Sequence, residues 1–88
     1  MHINLKDGEY RHYKGQSYWV QGLVRHSETD EELVVYRCLY GDYSWWVRPL
    51  AMFVEPVTVA GQPQPRFAYV GPMSRAQAAA AAGEKTDG

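Results

Sequence analysis

The stretch SYWVQGLVRH, residues 17–26, changes character at every second position. Tyr18, Val20, Gly22 and Val24 fall on one side and Trp19, Gln21, Leu23 and Arg25 on the other, which is the two-residue period of a β-strand. The polar run SETDE (27–31) follows as a turn, and ELVVYRCLY (32–40) reads as a second strand. Gly41–Asp42 is a turn signal between two apolar runs, so YSWWVRP (43–49) is a third strand, ended by Pro49. Pro49–Phe53 suits a single tight turn. Weaker strands are expected around Val54–Val59 and Arg66–Val70, joined by AGQPQP, and a first short strand over Glu9–Lys14 with Gly15–Gln16 as its turn. Five to six short strands at regular spacing predict an all-β fold, a small β-barrel whose closure would remove exposed strand edges.

The pattern breaks near Gly71–Pro72, so residues 1–71 are expected to form the barrel domain and 72–88 an alanine-rich tail. MSRAQAAAAAGEKTDG has no aromatic residue and no β-branched residue before Thr86. Ser74 is placed to cap a short helix over Arg75–Ala82 that Gly83 would end; a disordered tail is the other expectation. Offering alanine methyls and no large anchor, the tail is expected to contribute little stability.

Strand register assigns the faces. A two-residue loop at Gly41–Asp42 pairs Tyr40 with Tyr43, Cys38 with Trp45 and Tyr36 with Val47, and keeps charge off that face. A five-residue loop at Ser27–Glu31 then pairs His26 with Glu32 and Val24 with Val34. The expected core is Tyr18, Val20, Val24, Val34, Tyr36, Cys38, Tyr40, Tyr43, Trp45 and Val47. The opposite face reads Trp19–Leu39–Ser44, Gln21–Arg37–Trp46 and Leu23–Val35–Arg48, too apolar for water alone and too charged for a core. Trp46, Arg37 and Arg48, flanked by Trp19 and Leu39, are therefore the candidate binding surface, since arginine and tryptophan dominate binding hot spots.

Charge and composition narrow the partners. Nine basic and ten acidic residues give a net charge of −1, which argues against a grip on nucleic acid made mainly through phosphates. Single-strand binding by stacking stays open, because 14% of the residues are aromatic and rings supply that energy. The single cysteine, Cys38, allows no internal disulfide and fits a reducing compartment. With no apolar leader and no run long enough to span a membrane, the expectation is a soluble cytoplasmic protein, a monomer or a weak homodimer.

RHSETDEE (25–32) is the most chemical-looking run. His26, Ser27, Glu28 and Asp30 form a secondary candidate site, the basis for an alternative reading as a small hydrolase or metal-dependent enzyme using His26 and the carboxylates of 28–32. Neighbours on a strand point to opposite faces, which works against a His26–Ser27 pair, and no spacing resembles a structural zinc site. The glycines are spread as turn and bulge positions rather than as a phosphate loop, so no cofactor is expected.

YRHYKG (10–15), RHSETDEELVVYRCLYG (25–41), WVRPLAMF (46–53) and PRF (65–67) resemble the bacterial family of short proteins called domain of unknown function 1653. The resemblance covers about residues 8–70 and leaves the tail outside. It implies a small SH3-like β-barrel with no assigned activity, cofactor or partner. The family's characteristic stretches fall on Tyr10, His12, Tyr13, His26, Ser27, Glu28, Tyr36, Trp46, Arg48 and Pro49. The functional expectation is a non-enzymatic binding or adaptor module whose ligand is a protein segment or single-stranded nucleic acid.

Overall fold

The computed structural model describes residues 5–84. Four strands come first: β1 (Gly8–His12), β2 (Ser17–Arg25), β3 (Glu32–Cys38) and β4 (Trp45–Pro49). A single-turn helix, α1 (Leu50–Phe53), occupies the tight turn expected after Pro49. Then follow β5 (Pro56–Val59), β6 (Gln62–Pro65), β7 (Phe67–Gly71) and a terminal helix, α2 (Arg75–Ala81). Five strands pair antiparallel in the order β4-β3-β2-β1-β7, and β5 and β6 form a separate hairpin.

The fold is mostly β, as the alternation predicts, but the sheet does not close into a barrel. β4 and β7 are its two edges and do not pair with each other. They meet through side chains instead. Phe53 of α1 stacks on Phe67 of β7 with ring centroids 4.2 Å apart, and the Arg48 guanidinium of β4 lies 5.8 Å from the Phe67 centroid. Pro49 ends the one edge strand and Pro65 precedes the other, and neither offers a backbone N–H to a ladder. The rings of α1 and β7 thus fill the seam that backbone hydrogen bonds would close in a barrel. Tyr10, Tyr18, Val20, Val34, Tyr36, Cys38, Leu50, Phe53 and Phe67 form the core on this inner face.

Two register shifts correct the expected core. The chain does reverse around Gly41–Asp42, where the Tyr43 amide donates to the Tyr40 carbonyl at 3.1 Å. Tyr43, however, takes a left-handed conformation (φ 54°) and acts as one extra loop residue. Trp45 therefore stands opposite Arg37 rather than Cys38, Trp46 opposite Tyr36, and Arg48 opposite Val34. A one-residue slip exchanges the faces of a whole strand. Trp46 and Arg48 turn to the inner side, and Trp45 and Val47 to the outer side, where both are exposed. The second shift is a bulge in β2 between Val20 and Gly22. Beyond it Leu23 replaces Val24 on the core side, and Arg25 rather than His26 faces Glu32. Tyr40, also expected inside, is exposed in the loop. Tyr18, Val20, Val34, Tyr36 and Cys38 lie in the core as expected.

Charge on the outer face is tolerated because Arg37 has partners. Arg37 is 5% exposed on the outer face. Its Nε donates to the Tyr43 carbonyl at 2.8 Å, its Nη1 to Glu84 Oε1 at 3.1 Å and its Nη2 to Glu84 Oε2, and it lies 5.2 Å from the Trp45 ring. Glu84 is delivered by α2, whose ends are both encoded locally. Ser74 and Gln77 form a capping box at the start. At the other end Gly83 (φ 77°) turns the chain so that its amide donates to Ala80 and that of Glu84 to Ala79, a Schellman termination. Ala78 and Ala79 are buried, and the Trp19 indole donates to the Met73 carbonyl at 2.8 Å. The alanine-rich segment, helical as one of the two expectations had it, lies on the sheet and covers Trp19 and Arg37.

Removing residues 73–88 should therefore destabilise the domain by about 2 kcal/mol or more, since it exposes the Trp19 indole and the sheet surface packed against Ala78 and Ala79 and removes the Glu84 partner of Arg37. Denaturant melts of the truncated chain check this; an unchanged midpoint would mean that α2 merely rests on the sheet. The Arg37–Glu84 pair also carries a pH signature. Hydrogen bonds from Arg37 hold the Glu84 carboxyl below its ordinary value. A depressed carboxyl contributes stability above the ordinary carboxylate range and loses it as pH falls through the folded value. The melting temperature of Glu84→Gln should accordingly fall below that of the wild type at neutral pH and converge with it at strongly acidic pH.

Candidate functional site

The five residues proposed from sequence as one surface lie in two different places. Trp19 and Arg37 are buried under α2 on the outer face. Leu39 is half-buried just past β3, its amide donating to the Ser17 carbonyl at 3.0 Å. Trp46 and Arg48 sit on the inner face, brought there by the extra loop residue at Tyr43. The structure keeps the Arg37–tryptophan contact, but with Trp45 rather than Trp46.

The secondary candidate is a turn. The His26 Nδ1 accepts from the amides of Glu28 at 3.0 Å and Thr29 at 3.3 Å. Asp30, in a left-handed conformation, pairs with Arg25 at 3.2 Å in open solvent. Ser27 and Glu28 are exposed beside them. One of the two imidazole nitrogens, Nδ1, is thus engaged by backbone. Among the described residues no three His, Cys, Asp or Glu side chains converge as a metal site would require, and no helix is long and apolar enough to cross a membrane.

What the inner face does hold is an open cleft of about 330 Å³, lined by Tyr18, Tyr36, Cys38, Tyr40, Asp42, Ser44 and Trp46. Its floor comes from neighbouring strands. Tyr18 of β2 faces Cys38 of β3, and Tyr36 lies two residues before Cys38 on the same side. Cys38 is small, so the large rings around it leave a depression. The rings meet nearly at right angles: Tyr18 to Tyr36 at 5.6 Å and 75°, Tyr18 to Tyr40 at 5.5 Å and 85°. The Tyr18 and Tyr40 hydroxyls are hydrogen-bonded at 2.9 Å, which ties the hairpin loop to the floor. At the lip, Asp42 Oδ1 accepts from the Ser44 amide at 3.1 Å, and Ser44 Oγ accepts from the Trp46 indole at 2.7 Å. Trp46 is thus oriented while 55% exposed, and Tyr40 is 37% exposed.

Two of the cleft's tyrosines, Tyr40 and Tyr36, are weakened as acids. The hydrogen bond with Tyr18 pushes the Tyr40 hydroxyl well above its ordinary range, with burial adding to it. Burial raises Tyr36, while Arg48 beside it pulls the other way.

Sequence reasoning placed Tyr18, Tyr36 and Cys38 correctly inside but assigned them packing alone. The available signal was the same-parity string Tyr36–Cys38–Tyr40, in which a small residue between two large rings marks a hollow on one face.

The chain matches the family model for the protein of unknown function DUF1653 over residues 8–69. It is also similar to a crystal structure of a DUF1653 protein from Bordetella bronchiseptica, with 46% identity and a TM-score of 0.72, over 80% of this chain and 92% of that one. No curated protein matches at a significant level. With a family model spanning most of its strands and a solved relative at this identity, the chain belongs to the DUF1653 family.

Proposed function

We propose that this protein is a non-enzymatic binding module on an SH3-like scaffold, and that the Tyr18–Tyr36–Tyr40–Trp46 cleft receives a planar group of its ligand. One observation carries the reading. The sheet's outer face is covered by α2, whereas on the inner face an indole 55% exposed is held in place by a hydrogen bond to Ser44, above a floor of buried tyrosines. An aromatic ring held in place loses little entropy when it is stacked upon, which is the quality of a binding hot spot. The scaffold comparison rests on five short antiparallel strands curled around one aromatic core. The carboxylate beside Ser44, that of Asp42, accepts from the Ser44 backbone amide, which supports reading the lip as a built turn.

The test is a titration of isotope-labelled protein with nucleosides and short aromatic peptides, read by NMR. The Trp46 indole N–H and the amides of the 40–44 loop should shift together, while the Trp19 indole, bonded to Met73, stays in place. Trp46→Ala should abolish the loop shifts and change stability by less than about 1 kcal/mol, because the ring lies outside the core. If no probe moves the Trp46 signal at millimolar concentration, or if Trp46→Ala unfolds the domain, the cleft is not a binding site.

A further inference from the structure

The inner face continues beyond the cleft into a group of cations. Arg48 lies beside the Tyr36 hydroxyl and 5.8 Å from the Phe67 ring. His12, at the end of β1, packs its ring 4.9 Å from Phe67, 6.3 Å from Tyr18 and 4.5 Å from Tyr13. The Tyr13 amide donates to the Arg66 carbonyl at 2.9 Å, which brings Arg66 to the same place, and Lys14 Nζ lies 5.8 Å from the Tyr13 ring. Tyr18 and Tyr36 are therefore shared: they floor the cleft on one side and border the cations on the other.

Among the described residues these cations have no carboxylate within ion-pair distance. The ion pairs among the described residues use Arg25 and Arg37, not Arg48, Arg66 or Lys14. The Arg66 Nε is buried with no hydrogen-bond partner among the described residues. His12 is held below its ordinary pKa by burial first, then by Arg66, Lys14 and Arg48; every charged group that bears on it is a cation. Like charges gathered with no carboxylate beside them among the described residues repel one another, and an anion placed among them removes that repulsion. The protein's net charge of −1 makes this a local feature rather than a generally basic surface.

Exposed rings flank the cations. Trp46 and Tyr40 stand on the cleft side, and Tyr13, 38% exposed, on the other. A ligand that matches must carry planar groups alternating with negative charges, and its planar faces must be free to stack. We infer that the inner face binds single-stranded nucleic acid, with a base in the Tyr18–Tyr36–Tyr40–Trp46 cleft and backbone phosphates against Arg48, Arg66 and Lys14. A duplex presents the charges but hides the faces of its bases, and an acidic peptide presents the charges without the rings. This inference rests on the cleft being a binding site.

The experiment is fluorescence anisotropy with labelled oligo-dT and oligo-U at low salt, against a duplex of the same length and a polyglutamate peptide. Single strands should bind at least about tenfold tighter than the duplex or the peptide, and added salt should weaken them along a line whose slope counts the phosphates engaged. Trp46→Ala and the double variant Arg48→Gln/Arg66→Gln should each weaken binding about tenfold or more, and only the second should flatten the salt slope. Lys14→Gln, at an exposed position, supplies the same charge test should the double variant fail to fold, and Arg25→Gln should leave binding unchanged. Absence of single-strand binding, equal binding of polyglutamate or duplex, or indifference to both the Trp46 and the charge variants would overturn the assignment. If nucleosides or aromatic peptides still move the Trp46 signal while oligonucleotides do not bind, the nucleic-acid assignment falls and the cleft reading stands.

Discussion

The backbone of Tyr43 sets the arrangement of this molecule. Its left-handed conformation inserts one residue into the β3–β4 hairpin, and that residue fixes which side of β4 faces inward. The consequence runs the length of the strand: Trp46 and Arg48 turn toward the tyrosines, and Trp45 turns toward Arg37. A non-glycine residue in this region costs about 1 kcal/mol or more, so neighbouring interactions must hold it there. Here the Tyr43 carbonyl accepts from Arg37 Nε, and its amide donates back to Tyr40. The buried arginine on one face thus helps to fix the geometry that builds the cleft on the other.

The two faces solve the problem of a small sheet differently. On the outer face α2 provides cover with small side chains, Ala78 and Ala79, which let it lie close to Trp19. Its C-terminal turn returns Glu84 to Arg37, so a charge that would be costly alone is matched. On the inner face α1 brings Leu50 and Phe53 over the strands and stacks Phe53 on Phe67. That cover is local. It seals the middle of the sheet and leaves Trp46 and Tyr40 exposed at one end and Tyr13 at the other. The features offered for binding are those that the covering elements do not reach.

Most strand positions, the tight turn after Pro49 and the caps of α2 were legible in the sequence, because each depends on residues within one turn or one alternation of each other, whereas β6 (Gln62–Pro65), expected as part of the connection AGQPQP, shows itself only through its pairing with β5. Ser74, Gln77 and Gly83 bound the helix with their own hydrogen bonds and backbone angles, whatever lies beneath it. The inward placement of Tyr18, Val20, Val34, Tyr36 and Cys38 was also legible, because their parity on β3 and the first half of β2 precedes either register shift. The order of the faces beyond those points was not. One extra residue at Tyr43 and one bulge after Val20 reverse everything downstream, and nothing local in YGDYS or VQGL distinguishes the shifted pairing from the regular one. A pattern that kept charge off one face favoured the wrong register, since it could not include Glu84, which lies 47 residues from Arg37. The cleft and its cations are likewise long-range products: Tyr18, Tyr36 and Trp46 come from three strands, and Arg66 and His12 from opposite ends of the domain. By itself the sequence determined the elements, their ends and the residue types available. Only the tertiary structure decided which of those residues share a surface, because that depends on backbone pairings between distant segments and on single-residue slips that leave no mark on local composition.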